Sequence, residues 1–245
     1  MAKGNKVGRK GGRKGGGSGP GKGFYIGLAV VVVAGIVALL ALRRGGAESG
    51  SAPPISMAQI DAPADSGAGV SEGPADAAVH FVEFADYTCP HCAEFTRLTG
   101  RALRQNYVQT GKVRWTLYDF PLSQNTNAIP GALAARCAGA QGHYWAMHDL
   151  LYANQLTWVA SRNPENHFED LARQAGADVG QWKKCYQDRK FIPQIMASRN
   201  YGIQLGVNAT PTLFIDGKRV STSDYGYGSL EKLIQAAEPS AASSK

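Results

Sequence analysis

Val79-His80-Phe81-Val82-Glu83-Phe84-Ala85-Asp86-Tyr87-Thr88-Cys89-Pro90-His91-Cys92 is the stretch whose reading decides the fold. A strand-like apolar run, Ala78 to Ala85, turns through Asp86-Tyr87-Thr88 into Cys89-Pro90-His91-Cys92, and a helix-like run from Ala93 to Val108 comes next. Pro90 falls in the first turn of that helix, where a missing N–H costs nothing. Two thiols at this spacing can close a small disulfide across the turn. The unpaired N–H groups and positive dipole end of the helix favour the thiolate of the first cysteine. A thiolate that forms easily also leaves easily, so the pair suits thiol–disulfide exchange. Cys89 is expected to be the exposed, low-pKa sulfur and Cys92 its more buried partner.

Working outward, Phe95, Leu98, Ala102, Leu103 and Tyr107 recur at helical spacing, with Gly111 just past the end. Val113 to Tyr118 alternates like a second strand, and strand–helix–strand with short connections predicts a parallel pair with a right-handed crossover. Helix-like segments then run from about Asn125 to Tyr201: Ala132–Ala140, His143–Leu151, Phe168–Gly176, Val179–Asp188 and Ile192–Tyr201. Strand signals return at Thr212–Ile215, followed by the hairpin dipeptide Asp216-Gly217, Arg219-Val220-Ser221, and an amphipathic helix from Ser229 to Ala237. The order predicts an α/β, thioredoxin-like fold over 77–240. A helical insertion at about 123–201 separates its βαβ and ββα halves.

The 245 residues carry a net charge of +7, but the charge is not spread evenly. Residues 1–23 hold seven basic and no acidic side chains, leaving 19 of each sign in the rest. A basic arm that binds nucleic acid competes for this feature. The adjoining segment argues against it. Phe24 to Leu42 is an unbroken run of 19 uncharged, mostly apolar residues, long enough as a helix for a bilayer core of about 30 Å. It exceeds the apolar region of a cleaved signal, and Arg43-Arg44 stands where cleavage would be expected. The expectation is a single-pass signal anchor over 24–42 in the cell membrane. The cationic tail 1–23 stays cytoplasmic and the rest lies outside the cytoplasm. Residues 43–76, rich in Gly, Ala, Ser and Pro, read as a flexible linker, and 241–245 as a disordered tail.

Several ordered blocks resemble the DsbA-like thiol–disulfide oxidoreductases, in their membrane-anchored branch. They are Glu83 to Cys92, Tyr118-Asp119-Phe120-Pro121-Leu122, Gln141 to Asp149, and Gly206 to Phe214, spanning about 140 residues. The resemblance implies Cys89 and Cys92 as the catalytic pair, with Pro90 and His91 tuning its potential. A protonated His91 beside the Cys89 thiolate would stabilise the reduced form and make the disulfide more oxidising. It further implies a cis Thr210-Pro211 bond facing the cysteines, although X–Pro bonds are mostly trans. Backbone groups of Thr210 would then align a substrate strand. Pattern alone leaves Glu83 open between an exposed strand position and a buried one. The resemblance places it beneath the cysteine pair, where a carboxyl of raised pKa could exchange a proton with Cys92. It also implies a structural disulfide between Cys137 and Cys185, which could otherwise be buried free thiols.

The expected function is an extracytoplasmic dithiol oxidase acting on exported proteins with free cysteines, with no cofactor and no metal. By family analogy, a membrane-embedded, quinone-linked reoxidase would restore its disulfide. A membrane-tethered reductase or isomerase of the same fold is the alternative enzyme. A copper or zinc carrier using the same thiols is the alternative of another class. Cys89 and Cys92 could form half of a zinc site, but Cys137 and Cys185 stand apart instead of forming a second knuckle. His143, His148 and His167 are expected to be packing or surface residues. The sequon Asn208-Ala209-Thr210 lies too close to the predicted site to be used.

Overall fold

The computed structural model describes residues 26, 30–36 and 68–238. The chain separates into two units, Met1–Ser51 and Ala52–Lys245. In the first, residues 26 and 30–36 are helical and exposed. Among the described residues no helix is long and apolar enough to cross a membrane. The expected anchor over 24–42 lies mostly outside them, as do the whole 1–23 arm, the linker up to 67 and the 241–245 tail.

The second unit holds strands β1 (Val70–Glu72), β2 (Val79–Ala85), β3 (Val113–Asp119), β4 (Thr212–Ile215) and β5 (Lys218–Arg219) in one sheet ordered β1-β3-β2-β4-β5. β2 and β3 are parallel and joined by helix α1 (90–108); the other neighbours are antiparallel. Helix α1 is α-helical over Pro90–Phe95 and Arg101–Leu103 and widens to π-helical turns over Thr96–Gly100 and Arg104–Val108. Between β3 and β4 come α2 (Ala128–Gly139), α3 (Tyr144–Ala153), α4 (Gln155–Trp158), α5 (Glu165–Gln174), α6 (Val179–Gln187) and α7 (Ile192–Gln204). A 3-10 turn, Thr222–Asp224, and α8 (Tyr227–Ala237) complete the unit.

Three local readings change. The linker expected to reach 76 ends earlier, because β1 pairs antiparallel with β3, Val70 opposite Leu117. Three strand residues among Gly, Ala and Ser carry no usable period. Their order comes from elsewhere, since Arg104 binds Glu72 at 2.6 Å and Arg136 donates to the Ala68 carbonyl at 2.6 Å. The last strand is Lys218–Arg219 instead of 219–221. Asp216 and Gly217, at φ 47° and 76°, form a turn that sets Lys218 opposite Ile215. The short helix α4 has no counterpart in the sequence reading.

The two sheet faces bury different cores, as the two-residue strand period requires. Val79 and Phe81 pack beneath α1 and α8 with Trp115, Phe95, Leu103, Leu230 and Ile234, the Phe81 and Trp115 rings 4.3 Å apart. Glu83 shares this side of β2. Phe84 turns to the other face, stacked 5.0 Å from Tyr118 and edge-on to Phe120 and Phe214. There Gly202 of α7 is required by close approach: a Cβ would meet Phe120 at 2.7 Å and Phe84 at 2.9 Å. The helical block packs Leu133, Met147, Leu151, Trp158, Phe168 and Trp182 into a third core that continues to Cys92. Each such buried side chain contributes about 1.5–3 kcal/mol. The two fully buried indoles of this third core are satisfied, Trp158 by the Leu151 carbonyl and Trp182 by the Ala134 carbonyl, each at 3.0 Å.

Candidate active site

The turn between β2 and α1 is held by one carboxylate. Asp86 Oδ1 accepts from the Thr88 N–H at 2.7 Å and the Thr88 hydroxyl at 2.8 Å, while Oδ2 accepts from the Leu122 N–H at 2.7 Å. This places Cys89 as the N-cap of α1, in extended conformation, with Pro90 in the first turn. Cys89 and Cys92 are both free thiols.

The two sulfurs are in unlike surroundings. Cys92 is 0 % exposed, and Cys89 only 9 %, so the expectation of an openly exposed Cys89 is corrected. Thr210 and Gln155 cover it: the Cys89 thiol donates to the Thr210 carbonyl at 3.3 Å, and Gln155 Nε2 donates to the Cys89 and Tyr87 carbonyls at 2.9 and 2.8 Å. The Cys89 pKa nevertheless falls to about 5. The Cys92 thiol donates to it first, then the Thr210 hydroxyl and the N–H groups of Cys92 and His91, together outweighing burial. Burial drives the Cys92 thiol well up, and hydrogen bonding to Cys89 and the charges of Cys89 and Glu83 add to this.

The His91 imidazole is 78 % exposed, with Nδ1 3.8 Å from Glu94 Oε2, while the His91 backbone N–H is among the donors that favour the Cys89 thiolate. The Thr210-Pro211 bond is cis. The Thr210 hydroxyl is buried and has no partner while Cys89 is a thiol. Tyr225 fixes the loop by donating to the Pro211 carbonyl at 3.3 Å and accepting from the Leu213 N–H at 3.2 Å. Next to it opens a cavity of about 490 Å³, lined by His91, Phe95, Leu98, Thr210, Pro211 and Tyr225 among others.

Glu83 is 1 % exposed, and its Oε1 has no hydrogen-bond partner. Burial pushes its carboxyl up to about 8; the Trp115 indole and Arg104 charge oppose this. Cys137 and Cys185 are joined in a disulfide between α2 and α6, Cα atoms 5.7 Å apart. His143 stands at the start of α3, His148 is buried, and His167 is exposed. Among the described residues no group of three or more His, Cys, Asp or Glu is placed to hold a metal ion. Gln155 and Tyr225 were missed in the sequence because neither belongs to a motif. Asp86 carried a signal, since Asp two residues before Thr commonly caps its own turn.

Residues 65–236 match the family described as Thioredoxin. A putative protein-disulfide oxidoreductase of Rickettsia bellii is 26 % identical over 166 residues, covering 67 % of this chain and 62 % of that protein. The chain spans 55 to 62 % of the length of the five rickettsial relatives of this kind. Among solved structures, oxidised BdbD from Bacillus subtilis superposes with a TM-score of 0.64 at 19 % identity, over 73 % of this chain and 97 % of that one. DsbA from Chlamydia trachomatis gives 0.63 at 18 %, over 73 % and 95 %. The buried cysteine pair at a helix start, beside a cis proline, thus lies in a chain that has the fold of these structures and belongs to the thioredoxin family.

Proposed function

We propose that the chain is a dithiol oxidase that introduces disulfides into exported proteins. The observation that carries this reading is the asymmetry of the pair, with Cys89 brought to about 5 and Cys92 pushed well up. A stabilised Cys89 thiolate stabilises the reduced enzyme, which makes the disulfide a strong oxidant. A substrate thiolate attacks the Cys89 sulfur of the Cys89–Cys92 disulfide, forming a mixed disulfide and releasing Cys92 as thiolate. Glu83, protonated at neutral pH, gives Cys92 its proton. A second substrate thiolate then attacks the substrate sulfur of the mixed disulfide, and Cys89 leaves as thiolate without needing a proton. The products are an oxidised substrate and a reduced enzyme.

The cis-proline loop and its cavity offer the substrate an apolar groove beside Cys89, with Thr210 backbone groups to align an extended strand. The tail 1–23 lies in the cytoplasm, 24–42 anchors the chain in the cell membrane, and the catalytic unit works outside the cytoplasm. The reoxidant is a membrane-embedded, quinone-linked protein. A Cys92→Ala trapping variant that captured only soluble proteins would speak against that partner.

The deciding measurement is the reduction potential of the pair in the full chain. A value well above thioredoxin's roughly −270 mV, toward DsbA's roughly −120 mV, supports the oxidase, and a value near thioredoxin's supports a reductase.

A further inference from the structure

The cavity beside Cys89 has an apolar floor and an acidic rim. Phe95, Leu98 and Pro211 supply the floor, and Leu98 is left 63 % exposed. Tyr225 lines the cavity as well, but its hydroxyl is already taken by the Pro211 carbonyl and the Leu213 N–H. Among the described residues that line the cavity, Glu94 brings the carboxylate and no lysine or arginine answers it. The Glu94 side chain is 58 % exposed, and none of the ion pairs among the described residues joins it to a lysine or arginine. His91 Nδ1 stands 3.8 Å from Oε2 and offsets the charge only when the imidazole is protonated. The rim therefore presents a negative charge to whatever lies on the apolar floor.

Glu94 belongs to the regular α-helical part of α1, Pro90–Phe95, which Cys89 caps. At about 1.5 Å per residue, Glu94 lies roughly 7.5 Å from Cys89 along the helix axis. An extended strand advances about 6.6 Å over two residues, and side chains two apart share a face. A substrate strand laid along α1, its cysteine at Cys89, brings the side chain two positions away level with Glu94. A lysine or arginine at that position can rest its methylene stem on Phe95 and Leu98 while its charged head stays in water beside the carboxylate. An acidic side chain there meets a like charge over an apolar surface that screens poorly.

We propose that Glu94 sets a substrate preference: the groove takes extended segments that carry a lysine or arginine two residues from the reacting cysteine, and disfavours acidic ones. The inference rests on the oxidase reading and on the groove as its substrate site. The bond changes are those of that reading. The substrate thiolate bonds to the Cys89 sulfur, the Cys89–Cys92 bond breaks, and Cys92 leaves as thiolate. Glu94 takes no part in them; it holds the neighbouring cation and so aligns the strand.

The test is the rate at which the oxidised full chain oxidises dithiol peptides, read by thiol alkylation and mass spectrometry. The peptides differ only in carrying Lys, Gln or Glu two residues from both cysteines. The parent is compared with Glu94→Gln and Glu94→Lys, exposed changes that leave the core intact. Taking the Lys-to-Glu rate ratio cancels any effect of the substitution on the cysteine pair. Comparing that ratio between enzymes cancels the effect of peptide charge on the peptide's own thiols. The expected result is a ratio about threefold smaller in Glu94→Gln and smaller again in Glu94→Lys, with the difference lost in about 1 M salt. Moving the Lys further along the peptide should remove it too. Equal ratios in the three enzymes, a difference that survives the salt, or the same effect with the Lys moved would overturn the preference and leave the oxidase reading standing. A parent that oxidises none of the peptides would overturn both.

Discussion

The Cys89 thiol donates to the carbonyl oxygen of Thr210, 3.3 Å away and 121 positions later in the chain. When the thiol ionises, that carbonyl has nothing to accept, and the Thr210 hydroxyl, buried without a partner, becomes a donor to the sulfur. Thr210→Val deletes that donor at nearly constant volume. A hydrogen bond to a charged group is worth about 1.5–3 kcal/mol, so the thiolate midpoint should rise from about 5 by roughly one to two units. Ultraviolet absorbance of the thiolate against pH measures it, and an unmoved midpoint would show that Thr210 does not stabilise the thiolate.

The Cys89 shift also sets how the reduced protein responds to pH. Its folded value, about 5, lies below the ordinary 9.0, so between those values the unfolded chain binds more protons. Stability of the reduced form should therefore rise with pH through that window and be lost as pH falls through 5. The oxidised form has no such thiol. Urea unfolding of both forms should show the gap moving in favour of the reduced protein from the acid to the alkaline end of the window.

Glu83 acts in the opposite sense. Its folded value of about 8 lies above the ordinary 4.5, so the folded state keeps a proton that the unfolded state releases. Its contribution is fully present below 4.5 and is lost as pH rises through 8. Glu83→Gln should flatten that decline and leave the variant more stable than the parent, by a few kcal/mol, at pH above the folded value. Thermal unfolding across the range checks this; parallel curves would contradict a buried, titrating Glu83.

Gln155 ties the helical block to the cysteine turn through the Tyr87 and Cys89 carbonyls. Gln155→Leu keeps the volume and strands the buried Tyr87 carbonyl. The expected loss is about 1–3 kcal/mol, read from the denaturant midpoint. Because the same amide orients the Cys89 backbone, the rate with a model dithiol should fall as well.

The Cys137–Cys185 bridge closes a loop with a sequence separation of 48. Replacing both by Ser should lower stability by about 4 kcal/mol on the chain-entropy account. Far less would mean that the bridged segment keeps its structure when the rest unfolds.

Much of this was legible because it is local. The apolar run of Ala78 to Ala85, the alternation of Val113 to Tyr118, the 3.6-residue recurrence of Phe95, Leu103 and Tyr107, and the Asp216-Gly217 turn are each local, where backbone geometry ties pattern to shape. β1 was not legible, since three residues beside glycines form a strand only because β3 offers an edge and Arg104 and Arg136 hold the ends. The same applies to α4, whose four residues are too few to show a period.

From its sequence alone this chain is a pair of thiols spaced across the first turn of a helix, within a strand and helix order that admits one sheet. Part of what makes the two sulfurs unequal is local, the Cys92 thiol and the N–H groups of Cys92 and His91 at the helix start. The rest belongs to the tertiary structure: Cys89 meets Thr210 and Gln155, distant in sequence, and folding buries Cys92 and Glu83. A pKa is set by desolvation and by the neighbours that folding supplies, and no periodicity along the chain encodes those.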